Sequence, residues 1–494
     1  MPVALAVALG SAAGCAAGGI DDASVDASLR ARIGALGLTG DPSAGLDLPS
    51  VDDPRAQLGK LLFYSKALGG DMDAACASCH HPLLGGGDGL AVSVGVGAAD
   101  PDLLGPGRMH ESGAPNVPRN APSVFNSGLW QRTLFHDGRI ERLDPSASSG
   151  PAAGVSGLRT PDVLPGLPDP VAGPNLVAAQ SRFPIVSPAE MLGYSYAAHK
   201  PHHTIREYLA ARLGGYGTGT GELDRTTWAA EFERVYGSGM PVEALVTEQN
   251  VAAALGAYEQ SQVFVDTPWG AYVNGDDTAI SASAKRGALL FFTDIDDGGA
   301  GCATCHSGDF FTDEQLYVLA VPQVGPGRHD DAYADPSLSV ADDYGCWYAT
   351  YQEKDRYAFR TPTLLNVEVT GPYGHDGAYA TLEGIVRHHL DPAGALASYD
   401  PSQLEPGVQT ERLHDTAEAA LAKLASDRAA GRTPLQDVSL SEEQVDDILD
   451  FLSTLTDPCV EDPACLQPWL PEPTDPDPDG HRLVARFATG KASP

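Results

Sequence analysis

Basic residues are scarce in this sequence: 31 Lys and Arg stand against 66 Asp and Glu, which gives a formal charge of -35. Proteins that bind nucleic acid neutralise phosphates with Lys and Arg, so this composition argues against a nucleic-acid partner. Methionine is scarce too, because only five occur and none follows Met240. The second half of the chain therefore has no thioether sulfur to offer a metal. Beyond the first fifteen residues, no stretch is apolar enough to cross a membrane.

Cysteine occurs only eight times, but four of the eight belong to a pentapeptide that occurs twice. The two copies are Cys76-Ala77-Ser78-Cys79-His80 and Cys302-Ala303-Thr304-Cys305-His306. Cys-x-x-Cys-His is the attachment signature of c-type haem, in which both thiols bond to the porphyrin and the histidine binds iron. A zinc site would need two such pairs close together, whereas these pairs are more than 200 residues apart in the chain. The sequence therefore predicts two covalently bound haems.

The remaining cysteines bear on the cellular compartment. Cys459 and Cys465 are close enough in sequence for a short disulfide loop, which indicates an oxidising environment. Cys15 ends a short apolar run that is consistent with an export signal and a lipid-modified cysteine. Cys346 has no evident role. Since haem attachment to this motif itself implies export, we expect a periplasmic protein, or one otherwise outside the cytoplasmic membrane, with a lipid anchor at Cys15 left open.

Three sequence elements recur in the same order around the two haem motifs. Gly-x-Leu-Leu-Phe, at 59–63 and 287–291, precedes each cysteine pair, and Pro-x-x-x-Asn, at 122–126 and 362–366, precedes each His-Asp-Gly. This internal repeat predicts a mainly α fold of two cytochrome c-like haem domains with long loop insertions. The predicted divisions are a leader and linker over 1–45, haem domains over 46–276 and 277–456, and a Pro/Asp-rich tail over 457–494. Segments 145–180, 321–345 and 391–437 lack a steady period and are predicted to be loops.

With these motifs, residues 52–456 resemble the bacterial di-haem cytochrome c peroxidases and their relative MauG, which oxidises side chains of a partner protein. The resemblance rests on the haem motifs and on the segments 119–122, 135–139, 183–191, 360–366 and 372–377. It implies that the N-terminal haem reacts with hydrogen peroxide and that the C-terminal haem transfers electrons. Glu190 matches the family's distal glutamate, which moves a proton during O–O cleavage, and Pro184 matches a proline of the same pocket.

Two departures from the family pattern concern the iron ligands. Val96 stands where the classical peroxidases have a histidine that caps the first iron, so this haem is expected to be open unless His110 or another remote histidine substitutes. MauG-like proteins share the open haem. His389 stands where the second haem usually has a methionine, and MauG a tyrosine. We therefore expect His306 and His389 to bind the second iron together, with His388 as the alternative, and histidine ligation should lower the haem potential.

Further family features lie between the haems. His136 occupies the position of the family's relay tryptophan, so His136, Trp130 and Tyr373 are the candidate electron relays. The family also holds a calcium ion between its domains. The ligands of that ion map to the Asn120 side chain and the carbonyls of Thr370 and Pro372, and such oxygen ligands suit calcium.

The resemblance leaves two branches for the function. The enzyme could reduce peroxide to water with electrons from a small cytochrome or cupredoxin, or it could use the oxidised haem pair on a partner protein, which Val96 and His389 favour. An alternative from another class is a non-catalytic di-haem electron-transfer cytochrome or haem sensor. That alternative predicts two six-coordinate, low-spin irons.

Overall fold

The computed structural model describes residues 22–143, 157–194, 200–328 and 342–488. The helices are α1 (Asp22–Leu36), α2 (Pro54–Phe63), α3 (Leu176–Gln180), α4 (His202–Gly214), α5 (Trp228–Tyr236), α6 (Val242–Leu245), α7 (Glu248–Gln260), α8 (Pro268–Val273), α9 (Ala282–Phe292), α10 (Trp347–Thr350), α11 (Leu382–Leu390), α12 (Pro392–Ala397), α13 (Leu413–Ala429), α14 (Glu442–Ser453) and α15 (Pro463–Leu466). The strands are β1 (Leu103–Leu104), β2 (Thr133–Leu134), β3 (Ile140–Arg142), β4 (Leu158–Arg159), β5 (Leu316–Val318), β6 (Ala358–Arg360) and β7 (Arg486–Phe487). The mainly α prediction is confirmed. Strands β2, β3 and β4 form an antiparallel sheet, β5 pairs antiparallel with β6, and β1 pairs parallel with β7.

Two close helix crossings organise the two cores. Helix α2 crosses α7 at Gly59, where an added Cβ would lie 2.0 Å from Ala254 O. Helix α9 crosses α14 at Gly287, where an added Cβ would lie 1.8 Å from Asp447 O. Both approaches require a residue without a side chain. Each crossing lies in the helix that leads into a cysteine pair.

The N-terminal segment differs from the predicted linker. Residues 22–36 form α1, whose Val25, Leu29 and Ile33 are buried. Spacing of four residues places these side chains on one helix face, and that face packs against the second core. Lys285 Nζ pairs with Asp26 at 3.0 Å across this contact. The segment was predicted to be a linker because its many Ala, Asp and Ser residues outnumber the three apolar residues of this face. The predicted leader up to residue 21, with Cys15, lies outside the described residues.

Two other segments have packing or helices that the sequence did not indicate. Trp269 and Tyr272 precede the predicted division at 276, yet they pack with the second core. The predicted loop over 391–437 contains α12 and the 17-residue helix α13. Leu413, Ala417 and Leu424 of α13 are buried. Among the described residues, we find no helix with the length and apolar character needed to span a membrane.

The tail returns to the first domain. The predicted disulfide between Cys459 and Cys465 is present. Beyond it, Asp479 is 3% exposed and accepts a hydrogen bond from Trp228 Nε1 at 2.8 Å. Leu483 is buried in the first core, and β7 extends β1. The tail is therefore part of the folded structure rather than a segment lying loosely on its surface.

Candidate functional site

The first haem motif folds as a single turn. Residues Cys76–Ser78 form a 3-10 turn, and the thiols of Cys76 and Cys79 are not bonded to another sulfur. His80 Nδ1 donates to Gly86 O at 3.3 Å, which leaves Nε2 as the ligating nitrogen. Burial lowers the pKa of His80 to about 4, so the ring is neutral at pH 7. Two free thiols beside a neutral, oriented imidazole fit a c-type haem.

Glu190 lies on a turn held against the loop that contains Val96. The turn is the π-helical segment Pro188–Leu192, and Val96 N donates to Ala189 O at 3.0 Å. An added Cβ on Gly95 would lie 2.4 Å from Glu190 O, so the two backbones touch. Burial, followed by smaller contributions from Asp88 and Glu190, raises the pKa of the Cys79 thiol to about 12. Glu190 is therefore within electrostatic reach of a haem-attachment sulfur.

His110 and Pro184 border the same region. The Nδ1 of His110 pairs with the Ser112 hydroxyl at 2.7 Å, and the ring lies against Gly97, where an added Cβ would be 2.6 Å from Nε2. Pro184 begins the 3-10 turn Pro184–Val186, which precedes the Glu190 turn. The structure therefore brings Val96, Glu190 and Pro184 to one region, with His110 engaged by Ser112 at its edge.

The second haem motif repeats this arrangement and adds a facing histidine. The 3-10 turn Cys302–Thr304 presents unbonded thiols at Cys302 and Cys305. His306 Nδ1 approaches the carbonyls of Phe311 and Pro362, each at 3.2 Å, and burial lowers its pKa to about 4.

The rings of His306 and His389 lie close to each other. The two ring centres are 6.2 Å apart. Two imidazoles on opposite sides of one iron would have ring centres about 6.3 Å apart, from metal–nitrogen bonds of about 2.0–2.1 Å plus about 1.1 Å to each ring centre. His389 Nδ1 donates to Ile385 O at 2.8 Å and so leaves Nε2 for a metal. The pair fits a haem iron bound from both sides.

His388 points elsewhere. It is fully buried; its Nδ1 accepts from the Tyr379 hydroxyl and its Nε2 donates to Leu319 O, each at 2.8 Å. Both ring nitrogens are therefore engaged within the protein.

Comparison with known proteins identifies the family. Residues 53–278 match the family model for di-haem cytochrome c peroxidase. The chain is 30% identical over 387 residues to the cytochrome-c peroxidase IdrP1 of Denitromonas iodatirespirans, covering 74% of this chain and 80% of that protein. The chain belongs to the di-haem cytochrome c peroxidase family. It is also 27% identical over 393 residues to the methylamine utilization protein MauG of Methylorubrum extorquens, covering 78% of this chain and 84% of MauG.

A solved structure supports the fold of this di-haem peroxidase. The diheme peroxidase BthA of Burkholderia thailandensis superposes with a TM-score of 0.54 at 22% identity, covering 84% of this chain and 89% of BthA. Members of the family are oxidoreductases, and this peroxidase is one of them.

Buried histidines and an ion cluster join residues 119–137 of the peroxidase to residues 343–375. His136 Nε2 donates to Asn120 O at 3.1 Å, and Asn120 N donates to His375 O at 3.1 Å. Burial, then the charge of Arg119, lowers the pKa of His136 to about 3. Arg119 itself bridges Asp137, at 2.8 Å, and Asp343, at 2.6 Å. His136 is therefore neutral at the domain interface.

The other two relay candidates, Trp130 and Tyr373, make separate contacts. Trp130 is 5.0 Å from Phe310 between ring centres, and the Arg360 guanidinium carbon is 3.4 Å from the Trp130 ring centre. The Tyr373 hydroxyl donates to Val367 O at 3.0 Å.

Asn120 Nδ2 donates to Leu90 O at 2.8 Å, which orients the amide. Thr370 lies beside Gly85, and it is followed by Gly371 and Pro372. Among the described residues, no cluster of three or more His, Cys, Asp or Glu side chains could hold a metal ion, although a site of amide and carbonyl oxygens would not take that form.

Sequence reasoning missed two positioning residues. Arg108 is buried and donates to five backbone carbonyls, among them Val94 O at 2.7 Å and Gly95 O at 3.2 Å, so it fixes the loop before Val96. The carboxylate of Glu314 accepts from three consecutive N–H groups, those of residues 131–133, and so joins the domains. The contacts of both residues are made to backbone atoms, which carry no sequence signal.

Proposed function

We propose that this peroxidase reacts with hydrogen peroxide at the haem held by Cys76, Cys79 and His80, and that it does so in the fully ferric state. The observation that carries the proposal is the identity and setting of Val96. An alkyl side chain cannot bind iron, and the Val96 backbone is bonded to the residue before Glu190. When haem is bound, Val96 would thus leave its distal side open to peroxide, and the Glu190 carboxylate would lie beside it.

The protein residues orient the reaction and move the proton. When bound, the two haems supply the iron at which peroxide is cleaved and a second centre for storing charge. We assign to the Glu190 carboxylate the transfer of a proton from one peroxide oxygen to the other, which leaves as water. Arg108 holds the facing loop by its carbonyl bonds, so the distance between Val96 and the Glu190 turn stays fixed.

For the second haem we propose ligation by His306 and His389. The 6.2 Å separation of their rings supports this assignment, and the engaged nitrogens of His388 argue against the alternative. Imidazole in place of a thioether lowers the potential of the haem and makes its oxidised states easier to reach. We therefore favour MauG-like oxidation of a partner protein. Reduction of peroxide with a small cytochrome or cupredoxin as donor is the second branch, because the chain is also similar to a cytochrome-c peroxidase.

We further propose that the two halves are related by an internal repeat. Asn126 and Asn366, at matching repeat positions, are both buried with left-handed backbone, and their Nδ2 atoms both donate to Phe264 O at 3.0 Å. His80 and His306 are both stabilised by the carbonyl of the matching repeat proline, at 122 and 362. Matched contacts of this kind are expected from two copies of one domain.

Two finer assignments complete the proposal. The disulfide and the covalent haem sites support a location outside the cytoplasmic membrane. Lipid modification of Cys15 would attach the protein to that membrane. We also propose a calcium ion between the domains, bound by Asn120 Oδ1 and the carbonyls of Thr370 and Pro372. The bond from Asn120 Nδ2 to Leu90 O supports this, because it leaves the amide oxygen for a cation. Metal analysis of the purified holoprotein before and after chelation tests the ion.

One titration tests the main proposal. One equivalent of hydrogen peroxide is added to the ferric, haem-loaded protein without a donor, and absorption and EPR are followed. We expect rapid loss of a high-spin signal and a long-lived oxidised state. Glu190→Gln should bind haem normally but react at least about 100-fold more slowly, in line with the usual worth of a general acid–base group. Reaction only after one-electron reduction would refute the open first haem. If the protein reacts in no oxidation state, it is a non-catalytic electron-transfer cytochrome.

A further inference from the structure

Arg360 is a buried cation that no carboxylate of the described residues contacts directly, since Glu314 and Asp137 act on its charge only from a longer distance. It is 9% exposed, and its Nε has no hydrogen-bond partner. No carboxylate oxygen of the described residues lies within the 4.0 Å that defines an ion pair with it; its Nη1 reaches only Thr133 O, at 3.5 Å. Burial lowers the pKa of Arg360 to about 10, so it remains charged at neutral pH. Burying an unpaired charge is costly, which calls for a compensating contact.

That contact is the face of Trp130. The guanidinium carbon lies 3.4 Å from the ring centre, well inside the range of a cation–π interaction. Trp130 is 7% exposed and packs edge-to-face on Phe310. The next residue, Phe311, places its carbonyl 3.2 Å from His306 Nδ1. A readily oxidised indole thus lies a short chain of contacts away from the proximal histidine of the second haem.

We propose that Arg360 keeps Trp130 reduced while the haem pair is oxidised. Loss of one electron from Trp130 would reduce the haem pair by one electron and create a positive ring directly beneath the guanidinium. Repulsion between these charges, in an environment with little water, opposes that transfer. Arg360 thereby prevents the haem pair from oxidising Trp130 in the first core, so that the haem pair stays oxidised until it reacts with the substrate. This inference rests on the proposed peroxide reaction.

The test compares radical yields in full-length holoprotein labelled with ring-deuterated tryptophan. Wild type, Arg360→Met, Arg360→Lys and Arg360→Met with Trp130→Phe are mixed with peroxide in whichever oxidation state of the haems reacts with it. The samples are then frozen for EPR. Arg328→Met is the matched control, because Arg328 lies over Tyr348 and is paired with Asp137. Haem absorption and thermal midpoints check that each variant folds.

We expect Arg360→Met to raise the tryptophan radical signal at least fivefold and to shorten the life of the oxidised haem state. The increase should be absent from the double variant, and the signals of Arg360→Lys and Arg328→Met should stay near that of wild type. Equal tryptophan signals in wild type and Arg360→Met, with peroxide consumed, would overturn the inference, as would a high signal in Arg360→Lys. If Arg360→Met does not take up haem, Arg360→Gln decides by the same criteria. Wild type that consumes peroxide only after reduction overturns the ferric reaction but leaves this comparison intact.

Discussion

Replacing Gly287 by Ala should separate the helices that carry the second haem domain. The added Cβ would lie 1.8 Å from Asp447 O, whereas ordinary contact begins at 3.4 Å. Helices α9 and α14 must therefore move apart by roughly 1.6 Å, and the obstructing atom is backbone, which cannot rotate away. Overpacking of this kind costs about 1–3 kcal/mol, and alanine recovers about 1 kcal/mol of helix propensity. Taking the upper end, we expect a net loss of about 2 kcal/mol.

The assay is thermal unfolding of the haem-loaded protein, followed by circular dichroism and haem absorption. Midpoints are compared, because a two-domain haem protein need not unfold in one step. A loss of about 2 kcal/mol corresponds to a decrease of about 4–8 °C in a domain of this size. Gly34→Ala is the matched control: this glycine lies in α1 with nothing within 4 Å of an added Cβ, so alanine should raise the midpoint slightly.

The result that would refute the reasoning is a Gly287→Ala midpoint equal to that of wild type while Gly34→Ala behaves as expected. It would mean that α9 and α14 do not approach as closely as described. Gly59→Ala adds an independent check, since it should destabilise the first domain through Ala254 O. The absorption of the first haem should then change before that of the second.

Three further predictions concern ligands and pH. Val96→His should cap the first iron, so that EPR shows it low-spin and peroxide reacts only after reduction; unchanged ferric reactivity would contradict the role given to Val96. His389→Ala should turn the second haem high-spin, whereas His388→Ala should not, and the reverse result would make His388 the ligand. Burial raises the pKa of Glu259 from 4.5 to about 8, so the folded state retains its proton and stability should fall as pH rises between these values. Glu259→Gln should flatten that decline between pH 5 and pH 8, and identical slopes in thermal midpoints would count against a buried neutral acid.

The sequence was most informative where chemistry demands a fixed local pattern. Both haem motifs, the cysteine loop and the glycines of the helix crossings are visible in the chain, because covalent attachment and close backbone approach each restrict the residue type. The choice between His388 and His389 was not visible. Adjacent helix residues point about 100° apart, and only the packing of α11 determines which of them meets His306.

Long-range packing to backbone atoms was also beyond the sequence. Glu314 binds the N–H groups of residues 131–133, and any sequence in those positions would offer the same groups. The sequence also does not predict which core α1 packs against, because an apolar helix face indicates burial but not the surface that buries it. The loop predicted over 391–437 failed at α13 because many alanines and charged residues blur its apolar period.

The segments before and after the two cores each pack against the core that is more distant in sequence. Helix α1 packs against the second core, and the tail packs against the first, where Lys60 Nζ pairs with Asp475 at 3.2 Å and Ser65 donates to Asp479 at 2.7 Å. Each core thus packs against a segment from the opposite part of the chain, so the two cores cannot separate without releasing one of these segments. The distance between the two Cys-x-x-Cys-His motifs should consequently stay constant through turnover. A single proteolytic cut between α1 and α2 should destabilise the second core, although the cut lies next to the first in sequence.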